Sequence, residues 1–414
     1  MKKVISILAV VAFASSIASA QLLKNVKYNG SVEVKSVTVD NTDFNKDAED
    51  KYSNAKTRVM LGMNFDLNDD ANAQVTFAKY NRTWGDQLGT GVQSEEDVDN
   101  LTANIDITEA YLNLKNVLGL NHKVGRQTYG NAGDIVIYYG PSAQNVASYS
   151  VQALDAWYGE WKKEKLSVGA VMGKVWDRSA TTMRDHDVYG VTAAFDYSEI
   201  IKPSAYVYQS DDRTTAANIS DKLNVVGVKA TGKFSGLGYA AEYAMNTGND
   251  HNTDIDYKGS AMKLNADYGL DAGFGNFTFL GEYAMGTGDK TSATKNEKFT
   301  AINHNYVPGL IFGGLGVGAA NTGLGNLTTF NAGVKFTPKS IEKLTLCGNF
   351  YNFDYTEKVG TVEKIGTELD FGAAWKHSDN VFLKASYAMF TPDNDFSAND
   401  DAKTLLGLDA VVKF

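Results

Sequence analysis

From about residue 28 to its end the chain alternates apolar and polar positions in short segments. The last segment shows this most clearly. Thr404, Leu406, Leu408, Ala410, Val412 and Phe414 share one parity, and Leu405, Gly407, Asp409, Val411 and Lys413 share the other. A period of two over that length predicts a strand with unlike surroundings on its two sides. The same pattern recurs in Val59, Leu61, Met63 and Phe65, in Met262, Leu264, Ala266 and Tyr268, and in Leu369, Phe371, Ala373 and Trp375. Taken in order, the segments predict about 18 strands. One of them, from His122 to Tyr129, fits either parity, and another, Ala205–Gln209, is short.

The connections alternate in length. Short ones fall at 68–70, 116–120, 162–165, 198–202, 235–236, 269–275, 337–342 and 377–380. Long polar ones fall between them at 40–54, 85–104, 130–150, 179–186, 211–221, 247–259, 286–326, 355–364 and 391–403. Short turns on one rim and long loops on the other are the pattern of a membrane barrel. A soluble sandwich has no reason to maintain it. Phe65, Tyr197, Phe234, Tyr239, Tyr268, Phe277, Phe336, Trp375 and Phe414 all sit beside short turns on the apolar face, as an interfacial aromatic girdle requires. The predicted fold is therefore an all-β, transmembrane, antiparallel up-and-down barrel with short periplasmic turns and long extracellular loops.

Composition supports this reading. Lys2 and Lys3, an apolar run from Val4 to Ala14, and Ala18-Ser19-Ala20 predict a secretory signal peptide over 1–20, with the barrel occupying 21–414. Beyond the leader no stretch is apolar for long enough to be a membrane helix, so a span must be built from strands. The net charge of −10 argues against nucleic acid as a partner. Cys347 is the only cysteine, so the fold has no internal disulfide. The expected surroundings are outer-membrane lipid and lipopolysaccharide.

Eighteen strands leave an aqueous bore unless something fills it. The pore-lining candidates read from the alternation are Lys35, Arg58, Glu109, Lys229, Lys233, Glu242, Lys263, Glu282, Lys335, Glu368 and Lys384. Acids and bases are nearly balanced among inward positions, so they either set selectivity at a constriction or pair across strands to hold the wall. The segment Gly286–Asn326 is too long for an idle connection. It carries His304, Asn305 and Tyr306 and then a Gly-rich apolar run, Leu310 to Ala320, and is expected to fold into or over the pore. Acidic runs occur at Ser94–Asp99, at Asp250, Asp254 and Asp256, and at Asp393, Asp395, Asp400 and Asp401. None fits an EF-hand loop, and solvated acidic loops are the expectation. No metal or other cofactor is predicted. Of the five histidines only His186, beside Asp185, and His304 stand where a catalytic base could, and no serine motif accompanies either.

Lys123-Val124-Gly125-Arg126-Gln127 followed by Gly133-Asp134, with Glu297-Lys298-Phe299 and Tyr306-Val307-Pro308-Gly309 later, resembles the alginate-export family of bacterial outer-membrane channels. The resemblance implies an eighteen-stranded barrel and a lumen or loop-anchoring role for Arg126 and Gln127. Separately, the C-terminal strand closing on the aromatic Phe414 resembles the signal by which the bacterial outer-membrane assembly machinery recognises its clients. A polyuronate exporter implies a cationic constriction. The balanced lumen instead favours a porin for small hydrophilic solutes, with the anionic-saccharide exporter and a structural or adhesive surface protein as alternatives. A homotrimer is the usual porin assembly, but the sequence marks no subunit face.

Overall fold

Alternation gives each strand a greasy and a wet side, and the only way to keep both without leaving an edge is to close the sheet. A computed structural model describes residues 24–84, 105–142, 149–178, 184–213, 219–290, 292, 294–317 and 323–414. The expected leader, the acidic run Ser94–Asp99 and the end of the Gly-rich run lie outside the described residues.

The wall is a closed antiparallel barrel of 18 strands. The first nine are β1 (Asn25–Asp40), β2 (Tyr52–Asp66), β3 (Ala71–Thr83), β4 (Asp106–Val117), β5 (Leu120–Gln127), β6 (Leu154–Lys163), β7 (Leu166–Arg178), β8 (Arg184–Phe195) and β9 (Lys202–Asp212). The others are β10 (Asp221–Phe234), β11 (Leu237–Asp250), β12 (Ser260–Asp271), β13 (Gly275–Gly286), β14 (Thr328–Pro338), β15 (Leu344–Val359), β16 (Val362–Lys376), β17 (Val381–Pro392) and β18 (Lys403–Lys413). Each pairs with its sequence neighbour, and β18 closes on β1 from Asp40↔Thr404 to Ser31↔Lys413. Phe414 extends the seam: its N–H donates to Gly30 O at 3.0 Å, and Gly30 N donates to Phe414 O at 2.8 Å.

The apolar parity faces outward. Leu406 and Leu408 are 51% and 55% exposed, whereas Leu405, of the opposite parity, is 1% exposed. Against water such a surface would be untenable over the whole wall; against hydrocarbon it is what the sheet needs. Replacing Leu408 with arginine is accordingly expected to cost about 2–4 kcal/mol if the residue lies near the bilayer midplane, read as a lowered denaturant midpoint of the barrel refolded in lipid.

All of the short connections read from the sequence are short turns on one rim. Ser235 and Gly236, with φ of 49° and 87°, form the two-residue link between β10 and β11. Both positive values match the mirror-image turn whose twist suits a hairpin. On that rim Phe277 and Phe336 stack with centroids 4.6 Å apart, and Phe274 packs on both.

Two readings change. Strand β9, short by sequence, runs through all of Lys202–Asp212. The parity of β5 is settled by its neighbours: Tyr111 pairs with Gly125 and Ala110 with Arg126, so Lys123, Gly125 and Gln127 face in while His122, Val124 and Arg126 face out.

Candidate functional site: two loops inside the bore

Two of the long loops do not stay at the rim. The one after β5, over 128–153, forms a hairpin of Tyr129–Gly130 with Tyr138–Tyr139, and its Ile135, Val136 and Ile137 are buried. Polar flanks in the sequence concealed it as a surface loop, but this apolar tripeptide was a legible signal that it needed cover. The second loop, over 287–327, is the one expected to enter the pore, and it does so. Tyr306, Ile311 and Phe312 are buried among inward side chains of the wall.

The loops are tied to each other by backbone. Ile137 and Asn303 form a parallel bridge. Tyr138 N donates to Asn303 O at 2.6 Å, Ile302 N to Val136 O at 3.0 Å and Asn305 N to Asp134 O at 2.9 Å. Asn305 Oδ1 accepts from Gly133 N at 3.0 Å.

Three sets of wall residues hold this pair of loops. On β10 to β13, Lys229 lies 3.7 Å from Asp134 and 3.6 Å from Glu242. Lys263 donates to Gly133 O at 3.1 Å, stands 4.8 Å over the Tyr306 ring and lies 3.6 Å from Glu282. Tyr306 donates its hydroxyl to Glu282 at 2.7 Å. Burial, with Glu282 beside it, pushes that hydroxyl well above the ordinary phenol range, so it remains a donor.

On β1 and β2, Arg58 is 4% exposed. It donates to Glu33 at 2.7 Å and to Ser142 O at 2.8 Å, while its guanidinium lies 4.0 Å over the Tyr149 ring. Tyr149 in turn donates to Glu33 at 2.5 Å, and Lys35 lies 4.8 Å over the same ring.

On β16, Glu368 and Asp370 face a single π turn, Gly309–Gly313. Ile311 N and Phe312 N each donate to Glu368 at 2.8 Å, and Leu310 N donates to Asp370 at 3.2 Å. Gly309, at φ +76°, must be glycine twice over: the conformation is left-handed, and a Cβ there would come within 2.7 Å of the Glu368 carboxylate. Phe312 stacks on Phe353 at 3.9 Å.

Of the candidate pore-lining residues, eleven take the inward parity, but most are engaged with loops or wall. Glu109 accepts from Thr76 and Thr128. Lys233 and Lys335 are exposed toward the short-turn rim. Lys384 is also exposed; its register partner on β18 is Asp409, which is itself opposite Lys35 on β1. Arg126 is a correction: it points out of the barrel and forms a two-pronged pair with Asp155 at 2.8 and 2.9 Å. Gln127, its neighbour, turns inward and donates to the Ala156, Gly125 and Lys123 carbonyls at 2.8, 3.1 and 3.3 Å. His304 packs against Gly323.

His186 has Nε2 at 2.7 Å from Ser210 Oγ, the contact a catalytic pair would need. Among the described residues no carboxylate is hydrogen-bonded to its ring, the third member that a triad would add. The acidic loop residues take local partners: Asp250 accepts from Asn252 and Thr253, and Asp401 accepts from Lys46 N. No group of three or more metal-ligating side chains occurs among the described residues.

A family model described as alginate export matches residues 38–404. No curated relative matches the chain in sequence. Among solved structures, OpdK from Pseudomonas aeruginosa superposes with a TM-score of 0.60 at 10% identity, covering 95% of this chain and 100% of that one. OccK5 (OpdH) of the same organism gives 0.59 at 11%, covering 95% and 99%. OccAB4 from Acinetobacter baumannii gives 0.58 at 11%, covering 96% and 100%. Another matching structure is OpdK with vanillate.

Proposed function

We propose that this chain, which belongs to the alginate export family, is an outer-membrane channel for passive diffusion of small hydrophilic solutes and carries out no catalytic step. The observation that carries the reading is the crosslinked pair of loops inside the bore. A wall of eighteen strands alone would leave a wide channel. Loops fastened to β1, β2, β10 to β13 and β16 narrow it at a fixed level, which suits sieving of small solutes. Channel current with and without added sugars and uronates, together with solute flux into liposomes, tests this: small solutes should reduce the current and enter, and long polyuronate chains should not traverse.

The second reading, passage of an anionic saccharide, draws on the family's description and on Lys384, Lys335 and Lys233, exposed on the inward parity. Vanillate, found with OpdK, is an organic anion of the small class the first reading admits. The two readings share a cationic contribution from Lys384. Lys384→Gln should therefore shift the reversal potential toward cation preference, by a several-fold permeability ratio, since a unit charge at contact in water is worth about 1 kcal/mol. An unchanged potential would remove Lys384 from the selectivity path. Recognition of the Phe414 strand by the assembly machinery and a homotrimeric state belong to this proposal as well, and crosslinking in native membranes tests the trimer.

A further inference from the structure

Glu368 and Asp370 are 0% and 6% exposed, sit two apart on one face of β16 and are within hydrogen-bonding reach of one another. Every donor aimed at them from the loop is a backbone N–H: Leu310, Ile311 and Phe312. Asp370 Oδ1 is buried and accepts from no group of the protein. The titratable and charged groups around the pair are few. Tyr351 faces it from β15, with Cys347 further down that strand. Lys384 on β17 faces Asp370 from nearer the short-turn rim without forming an ion pair. Beyond Lys384 lie Asp409 of β18 and Lys35 of β1, and the turn Gly309–Gly313 carries no titratable side chain.

Two buried carboxylates in contact, with no cation against them, do not both ionise. A metal ion is a poor occupant, because three N–H groups point their positive ends into the same space. We infer that Glu368 and Asp370 form a proton-binding site that latches the lumen loop at 309–317 to the wall. One shared proton supplies the donor that Asp370 Oδ1 lacks and leaves one negative charge for the N–H groups of the π turn to bind. A second proton removes that charge. The turn then has only neutral acceptors for its donors, and its hold on β16 weakens. The sign follows: the latch is closed at neutral pH and opens on acidification.

The latch is a property of the loop and stands or falls without reference to any solute; only its effect on conductance rests on the channel reading. Hydrogen exchange of the full chain in detergent or lipid, corrected for intrinsic rate, reads it directly. Between pH about 7 and about 4, protection of the Leu310, Ile311 and Phe312 amides should fall roughly tenfold or more, the effect of one pKa unit of linkage, while amides of β16 and β17 keep theirs. Glu368→Gln presents an amide where a second acceptor is needed, so its loop should be unprotected at both pH values. Wild-type protection that is unchanged over this range overturns the inference and needs no variant to fold. So does a pH response retained in Glu368→Gln. Replacing sodium by a bulky organic cation at constant pH should change nothing; a loss of protection there would assign the site to a metal cation and overturn the proton assignment.

Discussion

Replacing Arg58 with alanine is expected to destabilise the structure by about 3–5 kcal/mol, the cost of breaking a buried ion pair by removing one partner. Arg58 is the hub of its corner: it neutralises Glu33, holds Ser142 O and supports the Tyr149 ring. Without it, Glu33 keeps the hydroxyl donors Tyr149 and Ser31 among the described residues but loses its guanidinium partner. The expected result is a lowered denaturant midpoint in lipid together with a higher conductance, because the segment around Ser142 and Tyr149 loses its anchor. Arg58→Lys should recover only part of the loss: an ammonium keeps the charge but cannot serve Glu33 and Ser142 O from one planar fork. An Arg58→Ala barrel with wild-type midpoint and conductance would show that this corner does not hold the loop.

Phe312→Ala should act on the loop rather than on the wall. The ring is 1% exposed and stacks between Phe353 at 3.9 Å and Phe390 at 6.2 Å. Truncating a buried phenylalanine costs about 3–5 kcal/mol. Here that cost falls on a lumen-loop segment and not on a wall strand, so it shows as local opening rather than as global unfolding. Conductance should rise and protection over 309–313 should vanish while the barrel's unfolding midpoint stays close to wild type. A fall in the midpoint with no gain in conductance would mean that the ring supports the wall.

The wall was legible because lipid enforces period two on every strand: from Val59 to Phe65, or Leu369 to Trp375, one parity is apolar without exception. The turns were legible for the same reason, since each interrupts the alternation. Strand β5 was not legible. At its ends the apolar band gives way to the rims, and polar residues stand on both faces: His122 accepts from Trp157 Nε1 at 3.1 Å, and Arg126 pairs with Asp155, both pairs on the outside. Only the register of β4 against β5 decides the parity. The resemblance to the alginate-export family named Arg126 and Gln127 together, and the structure separates them, with only Gln127 turned inward.

The interior was half legible. Length and the apolar stretch after Tyr306 pointed to the loop over 287–327, because an apolar segment in a polar bore must be covered. The loop over 128–153 carries the same signal in Ile135, Val136 and Ile137, but in only three residues among many polar ones. What the sequence could not supply is which charges are engaged. Glu368 and Lys384 belong to the same inward set, yet one is sealed under a π turn and the other is exposed. That difference is made by contacts between segments distant in the chain, and alternation carries no trace of it.

The most direct measurement is single-channel conductance of the purified chain in a planar bilayer, with folding checked by heat-modifiable migration. The account predicts discrete, stepwise openings whose size grows when the lumen loop is loosened by Phe312→Ala. A folded barrel that leaves the membrane silent, both as wild type and as the loosened variant, would contradict it.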